Sequence, residues 1–503
     1  RRASGVKRHL GLALGVGLVT LARAAGLTVG GVNRVEFWAF QKDWAYVVED
    51  KMELNARYGD FSGNLGLFLF EPSKPWVGLR QSQRFLDYTV AYSPKQFEIL
   101  YGRYFQTFGK GLALRTYSDE DFRHYKSLHG IRGIARLPMR TEVVMLSGRL
   151  RDVFFQENTY KILNLADTSD QVVGVDLVTR SLGPIGLGGR YVRVNRTNDL
   201  TPKAFSELFG GNVSANAGLL DVELEVCQRL GTRPAVGGRD RGFGYYFSGT
   251  ASLAGFSVLA EYMDYDRLAL PLEISPGNLG LYHYNDPPTP IKSGVAINRG
   301  ADEQGYGVTL SATPLGPLYL EGNFGRLATH DNRTARVMEW EGKGRYSLGV
   351  AWTLEGKLNH SLQENVELHV KSRKSDKPVL QVNWAGGQQT LALEAEYAFI
   401  SELTDTVGQT EPWNYHETAL ALSYGYGAGL LFTLGWQSVD RALAQRYNNE
   451  RMWPLFETVW TITERNVLRV RIGAERGGYT CSGGVCRFEA PFRGVKLQLI
   501  SRF

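Results

Sequence analysis

The sequence predicts an all-β fold: a single transmembrane antiparallel β-barrel of about 24 strands (22 to 26), with short turns at one end, long loops at the other and no plug domain. Three observations predict it. The closing stretch, Arg493 to Phe503, puts Val495, Leu497, Leu499 and Phe503 on one strand face and Lys496 and Gln498 on the other, because successive strand side chains point to opposite faces. The same two-residue rhythm runs through most of the chain. Short and long connections take turns between the rhythmic segments. A wall that is apolar on one side and polar on the other suits a barrel between lipid and a wet lumen.

The rhythm is clean in several places. Lys51, Glu53, Asn55 and Arg57 interleave with Met52, Leu54, Ala56 and Tyr58; Glu223 and Glu225 with Val222, Leu224 and Val226. Glu321 and Asn323 alternate with Leu320, Gly322 and Phe324. Glu394 and Glu396 sit between Leu393, Ala395 and Tyr397, and Arg469 and Arg471 between Leu468, Val470 and Ile472. Charge on every second residue fits a strand, not a helix. Strand centres fall near residues 33, 53, 66, 88, 100, 132, 145, 176, 191, 215, 225, 247, 260, 308, 322, 340, 354, 381, 394, 419, 433, 458, 470 and 498. The pair near 215 and 225 is the shortest hairpin, and residues 361–376 fit either strand or loop.

The connections separate a barrel from a soluble β-sandwich. Ser93-Pro94-Lys95, Leu182-Gly183-Pro184-Ile185, Leu315-Gly316-Pro317 and Gly386-Gly387-Gln388 are tight. Residues 107–127, 152–170, 198–211, 267–302 and 440–452 are long and polar. One tight end and one loop-rich end is the asymmetry of an outer-membrane barrel.

Bulk properties agree. The chain has 503 residues, 58 glycines and 12% aromatics. Its mean hydropathy of −0.23 excludes a bundle of membrane helices, but a barrel tolerates it because only alternate residues meet lipid. Residues 1–24 read as a secretory signal and 25–503 as the barrel: Arg1, Arg2, Lys7 and Arg8 precede an apolar run, and Ala22-Arg23-Ala24 has the form of a cleavage site. The formal net charge of +6 falls to +1 without Arg1, Arg2, Lys7, Arg8 and Arg23, so nucleic acid is not an expected partner. Cys481 and Cys486 flank Ser-Gly-Gly-Val, and in an oxidising envelope they suggest a loop disulfide. Cys227 has no such partner and reads as structural. Neither a metal site nor a cofactor is expected, and no Ser/His/Asp arrangement argues for an enzyme.

The most distinctive internal segment is Tyr104-Phe-Gln-Thr-Phe-Gly-Lys-Gly-Leu-Ala-Leu-Arg-Thr-Tyr117. Gly109 and Gly111 flank Lys110, which lets the backbone turn sharply against a wall. It reads as the root of a loop folded into the lumen, with Tyr104, Phe105, Phe108 and Lys110 at a constriction. This segment resembles the Tyr-Phe-x-x-Phe-Gly-x-Gly-Leu-x-Leu-Arg stretch of a poorly characterised family of large bacterial outer-membrane barrels. The Cys481, Cys486, Arg487 hairpin and the Gly494-Val-Lys-Leu-x-Leu ending with Phe503 are similar too. The resemblance implies fold and outer-membrane location, with porin-like roles, and brings no catalytic residues.

Lumen-lining candidates are mixed in sign: Arg103, Arg132, Arg136, Arg149 and Arg151 as an arginine strip, with Glu321, Glu394, Glu396, Arg469 and Arg471 elsewhere. Mixed charges in a wet pore screen within about 8 Å at physiological salt, so weak ion selectivity is expected. The expected role is a porin-like channel for polar solutes. The rival is an anchor for another envelope protein, using the prolines of 287–290 and the region before Trp453; an outer-membrane hydrolase ranks last. Expected partners are outer-membrane lipid and lipopolysaccharide, and the barrel-assembly machinery through Val495, Leu497, Leu499 and Phe503.

Overall fold

A computed structural model describes residues 26–503 apart from 42–44, 74–82, 120–123, 157–160, 165–170, 196–204, 233–238, 269–283, 293–296, 298–301, 331–334, 367–369, 405–410, 442–449, 483–484 and 490. The proposed signal segment lies outside the described residues. Twenty-four strands form the wall. They are β1 Leu27–Phe40, β2 Tyr46–Tyr58, β3 Phe61–Pro72, β4 Gln83–Tyr92, β5 Phe97–Tyr104, β6 His124–Leu137, β7 Thr141–Gln156 and β8 Gln171–Leu182. Then follow β9 Ile185–Asn195, β10 Phe205–Asn216, β11 Leu220–Thr232, β12 Arg239–Leu253, β13 Phe256–Asp266, β14 Asp302–Leu315, β15 Leu318–Ala328 and β16 Arg336–Leu348. The series ends with β17 Trp352–Glu364, β18 Val370–Gly386, β19 Gln389–Thr404, β20 Trp413–Tyr426, β21 Leu430–Val439, β22 Met452–Thr463, β23 Asn466–Glu475 and β24 Phe492–Arg502.

Every wall strand pairs antiparallel with its sequence neighbours, and β1 pairs with β24 from Val32↔Arg502 to Phe40↔Gly494. The sheet is therefore closed, which leaves no free edge. Phe503 exchanges backbone hydrogen bonds with Gly31 at the seam, at 2.8 and 3.1 Å. Gly31 is needed there: an added Cβ would lie 2.8 Å from the Phe503 ring. All 24 strand centres read from the sequence fall inside wall strands. The shortest hairpin has full-length strands, β10 and β11 with 12 and 13 residues, and of 361–376 residues 361–364 belong to β17 and 370–376 to β18. The polar stretch 198–211, expected as loop, is strand in its second half, because β10 begins at Phe205. Its Ser206, Leu208 and Glu207 continue the alternation below a shorter connection.

At one end the turns are tight. Ala254 and Gly255 (φ 48° and 85°) and Met139 and Arg140 (φ 62° and 52°) take the doubly left-handed form that matches strand twist. The outward face is a belt of exposed apolar side chains, such as Leu86, Val90, Ile131, Met145, Leu310, Leu380, Leu434 and Ile472. On β24, Val495, Leu497, Leu499 and Phe503 lie on this outer face, while Lys496 and Gln498 reach Glu475 and Glu36 inside.

The strand pattern predicts a polar lumen narrowed by a folded-in loop. On β6 to β16 the lining is not all polar: Leu128, Val144, Leu146, Val172, Val192, Leu208, Cys227, Tyr246, Met263, Tyr265, Leu327 and Val337 point inward and are buried in one cluster. Two inserted segments cover them.

Candidate functional site

The first inserted segment follows β5. Thr107–Phe108 pairs with Leu114–Arg115 to make a small hairpin inside the barrel. Gly109 (φ 55°) and Gly111 (φ 101°) turn its tip, and the Gly111 amide donates to the Phe108 carbonyl at 3.0 Å. Phe108, Leu112, Ala113 and Leu114 are completely buried. Phe108 lies against β7 and β8, where a Cβ on Gly174 would come within 2.9 Å of its ring.

The tip rests on a buried ion network of the wall. Arg190 of β9 and Glu225 of β11 have no exposed side-chain surface and pair at 2.7 Å. Asp176 of β8 approaches the same guanidinium at 3.4 Å, and Arg190 also bonds Asn212. The Lys110 amide donates to Glu225 at 2.6 Å, and its ammonium pairs with Glu223 at 3.0 Å. An added Cβ at Gly109 would lie 1.5 Å from Arg190 Nη1 and 2.2 Å from Glu225 Oε2. Glycine is thus required where the loop crosses the charges, both for its φ and for the space. Such a network is costly to bury, but removing one member strands the other's charge.

The second inserted segment is Tyr284–Lys292, within the 267–301 connection. Asn285 Nδ2 donates to the Leu112 carbonyl at 2.8 Å, the Asp286 amide to the Gly111 carbonyl at 3.2 Å and the Arg115 amide to the Tyr284 carbonyl at 3.0 Å. Tyr265 of β13 donates to the Pro288 carbonyl at 2.9 Å. Lys292 closes the far end on Glu321 and Glu339. The two segments therefore bind each other and the wall. At the root of this connection His330 bridges Asp302 (Nδ1 to Oδ1, 2.5 Å) and Asp264 (Nε2 to Oδ1, 3.0 Å). Partial burial lowers the imidazole's pKa, but the two carboxylates outweigh it and hold it above the ordinary histidine value.

The four constriction candidates divide. Lys110 is the accessible one, 40% exposed, and Phe105 is half-buried under the Arg103 guanidinium. Phe108 and Tyr104 do not line an opening, because they are buried anchors: Tyr104 donates to the Ile131 carbonyl at 3.2 Å, beneath Arg132. The arginine strip also divides. Arg103 pairs with Asp87 at 2.7 Å, Arg132 with Glu98 at 2.6 Å and Arg136 with Glu142 at 3.9 Å. Arg149 does not line the pore. On β7 Val144 and Leu146 are the buried, inward residues, so Arg149 shares the outward face of Met145. The Arg151 side chain lies outside the described residues.

Across the lumen, on β16 to β24, the wall carries paired charges. Glu355 pairs with Lys343 (3.1 Å) and Arg345 (2.7 Å), Lys357 with Glu341 (2.6 Å) and Lys377 with Glu396 (3.0 Å). Arg471 holds Glu457 and Glu475, both at 2.5 Å, and Arg469 approaches Glu457 at 3.9 Å. Glu394 shares the inward face of Glu396, and Glu321 holds Lys292.

Some expected contact surfaces are absent. Pro287–Pro290 are half-buried or buried inside the barrel, carried there by the second inserted segment, and Trp453 is 1% exposed because it is an inward residue of wall strand β22, packed with Ala398, Ile400, Tyr415, Val439 and Ala474. In the outer hairpin Gly478–Ser482 and Val485–Glu489, Cys481 stands opposite Cys486 in the strand register; the side chains lie outside the described residues. Among the described residues no group of three His, Cys, Asp or Glu converges as a metal site. Sequence reasoning missed Asp176 and Arg190 as a network. The available signal was glycine at the inward positions 188 and 210, where an added Cβ would come within 3.0 Å of Arg190.

A family model described as "Family of unknown function (DUF6029)" matches residues 52–271 and 445–503, more than half of the chain. The chain belongs to this family. The 52–271 match contains the inserted hairpin together with Asp176, Arg190 and Glu225. No curated protein matches the sequence. Among solved structures, the siderophore receptor PirA from Pseudomonas aeruginosa matches with a TM-score of 0.50 at 8% identity, covering 94% of this chain and 80% of that one. The P pilus usher (PapC) translocation pore matches at 0.47 and 8%, covering 94% and 99%. OccK11 (OpdR) from Pseudomonas aeruginosa matches at 0.38 and 14%, covering 71% and 94%. The DUF6029 chain thus shares the fold of outer-membrane β-barrels, at identities that speak to fold alone.

Proposed function

We propose that this DUF6029 protein is a non-enzymatic outer-membrane channel for small polar solutes, narrowed by its own inserted segments rather than by a separate plug domain. The carrying observation is the asymmetric lumen. One side is filled by 105–116 and 284–292, and the other presents charged side chains in opposed pairs. A 24-strand barrel with strands about 4.8 Å apart and tilted about 40° has a backbone radius of roughly 24 Å, too wide for side chains alone to close. Pairing within the wall cancels most of the lumen charge, which supports weak ion selectivity. Solute passage then depends on the gap between the Lys110 tip and the β16–β24 wall.

Planar-bilayer recording tests this. The folded protein gives discrete conductance steps and a reversal potential near zero in a KCl gradient. Replacing residues 107–115 by a short Gly-Ser linker raises the unit conductance. Silence from both proteins, when each shows folded mobility on unheated gels, refutes the channel.

A further inference from the structure

The arginines that do not face the lumen form a separate surface. On β7, β9 and β12 the outward face, marked by Met145, Tyr191 and Phe243, also carries Arg149, Arg193, Arg239 and Arg241. The strand register joins them in two adjacent rows. One runs His129↔Arg149↔Gln171↔Asn195↔Phe205, and reaches Arg239 through its pair with Thr232. The other runs Arg193↔Glu207↔Leu230↔Arg241. Glu207 is the single acid in these rows, and it is already held by Arg193 at 2.9 Å. Arg149, Arg239 and Arg241 are exposed and have no acid partner among the described residues.

Height fixes what these cations meet. Immediately towards the tight-turn end lies an outward aromatic row, Tyr191↔Phe209↔Gln228↔Phe243, with the Tyr191 and Phe209 rings 5.0 Å apart. Arg193 lies eight residues from Ile185 at the turn, and Arg241 twelve from Leu253. A tilted strand climbs about 2.5 Å per residue along the barrel axis, which places them roughly 20 and 30 Å above that end, bracketing an apolar band about 25 Å tall. The arginines therefore stand at the outer edge of the lipid-facing belt, just beyond its aromatic girdle. Guanidinium groups at that depth match phosphate, which they bind in bidentate fashion.

We propose that this arginine belt on β7 to β12 binds the phosphorylated sugar headgroup of the outer-leaflet glycolipid. The surface rests on the outer-membrane reading but not on conductance, so a silent barrel would leave it standing. Aromatic faces beneath the charges suit the sugar rings, and Arg193 over the Phe205 ring (5.1 Å) is already oriented.

The test uses the refolded full chain in neutral detergent and counts bound lipid by native mass spectrometry. The probes are bisphosphorylated lipid A, dephosphorylated lipid A and inorganic phosphate. The wild type retains bisphosphorylated lipid A, and millimolar phosphate does not displace it. The triple variant Arg149→Glu, Arg239→Glu, Arg241→Glu binds about a hundredfold more weakly, since each cation near an anionic lipid surface contributes close to a factor of five. The matching triple Arg→Lys variant keeps the charge but not the bidentate geometry, so it binds between the wild type and the triple Glu variant and guards against a folding defect. Equal retention of both lipid A forms, displacement by free phosphate, or undiminished binding by a folded triple Glu variant would overturn the proposal.

Discussion

Gly109→Ala tests the latch that holds the inserted hairpin. Two costs arise from the structure. Alanine at φ 55° is disfavoured by about 1 kcal/mol. The new Cβ would lie 1.5 Å from Arg190 and 2.2 Å from Glu225, and neither can yield: both are fully buried, and Asp176 and Asn212 hold the guanidinium from the other side. The hairpin must lift instead, which breaks the 2.6 Å bond from the Lys110 amide to Glu225. A hydrogen bond to a charged acceptor contributes about 1.5 to 3 kcal/mol. The combined cost is about 2.5 to 4 kcal/mol, a factor of roughly seventy to several hundred in the equilibrium between docked and lifted hairpin.

The assay is maleimide labelling of a cysteine placed at Lys110, combined with single-channel recording. Lifting speeds labelling and adds a larger, noisier conductance level. Gly183→Ala is the control: its φ is 68° but nothing lies within 4 Å of the added Cβ, so it carries the backbone cost without the collision. Labelling and conductance in Gly109→Ala indistinguishable from the Gly183→Ala control would refute the latch, and with it the role assigned to Arg190 and Glu225.

The remaining predictions concern the outer end. His330 has a raised pKa, so its contribution is complete below the ordinary value of 6.5 and disappears as pH rises through the raised one. The unfolding temperature should therefore fall between pH 5.5 and 8.5 by more in the wild type than in His330→Gln, with a difference of about 1 kcal/mol or less for so exposed a pair. Equal falls would remove the bridge as an energetic element. Cys481 and Cys486 occupy the first pair beyond the Ser482↔Val485 closing pair of a two-residue hairpin, where facing Cα atoms are close enough for a disulfide. Intact-mass measurement of protein from an oxidising envelope should show two thiols fewer than the reduced chain, and free alkylation of both cysteines would contradict this.

The wall was legible because its instruction is local and repeated. Each strand states its own faces every second residue, and a one-residue slip would turn every apolar side chain inward. Lys496 and Gln498 against Leu497 and Leu499 sufficed to place β24. Residue type misleads where it competes with parity: Arg149 and Arg132 are arginines on neighbouring strands but face opposite sides of the wall. The neighbours of Arg149, Val144 and Leu146, have the opposite parity, and they are the ones the inserted hairpin covers. Counting from Met145 would have put Arg149 outside.

The interior was less legible because it is built from contacts of long sequence separation. Asn285 meets Leu112 across 173 residues, and Lys110 meets Glu225 across 115. Nothing in Tyr284-Asn-Asp-Pro-Pro-Thr-Pro distinguishes a proline-rich loop in solvent from one folded into a lumen. The difference lies in its receiver, the inward glycines Gly307 and Gly325: a Cβ on Gly307 would come within 2.5 Å of Pro290, and one on Gly325 within 3.3 Å of Ile291. The same logic joins Gly109 to Arg190 and Gly174 to Phe108. In a barrel too wide to fill with side chains, inward glycines mark where backbone from elsewhere is admitted, and inward charges opposite one another mark where water remains. On that basis β6 to β16 form the seat of the inserted segments, and the paired charges of β16 to β24 mark the wet wall along which solute would move.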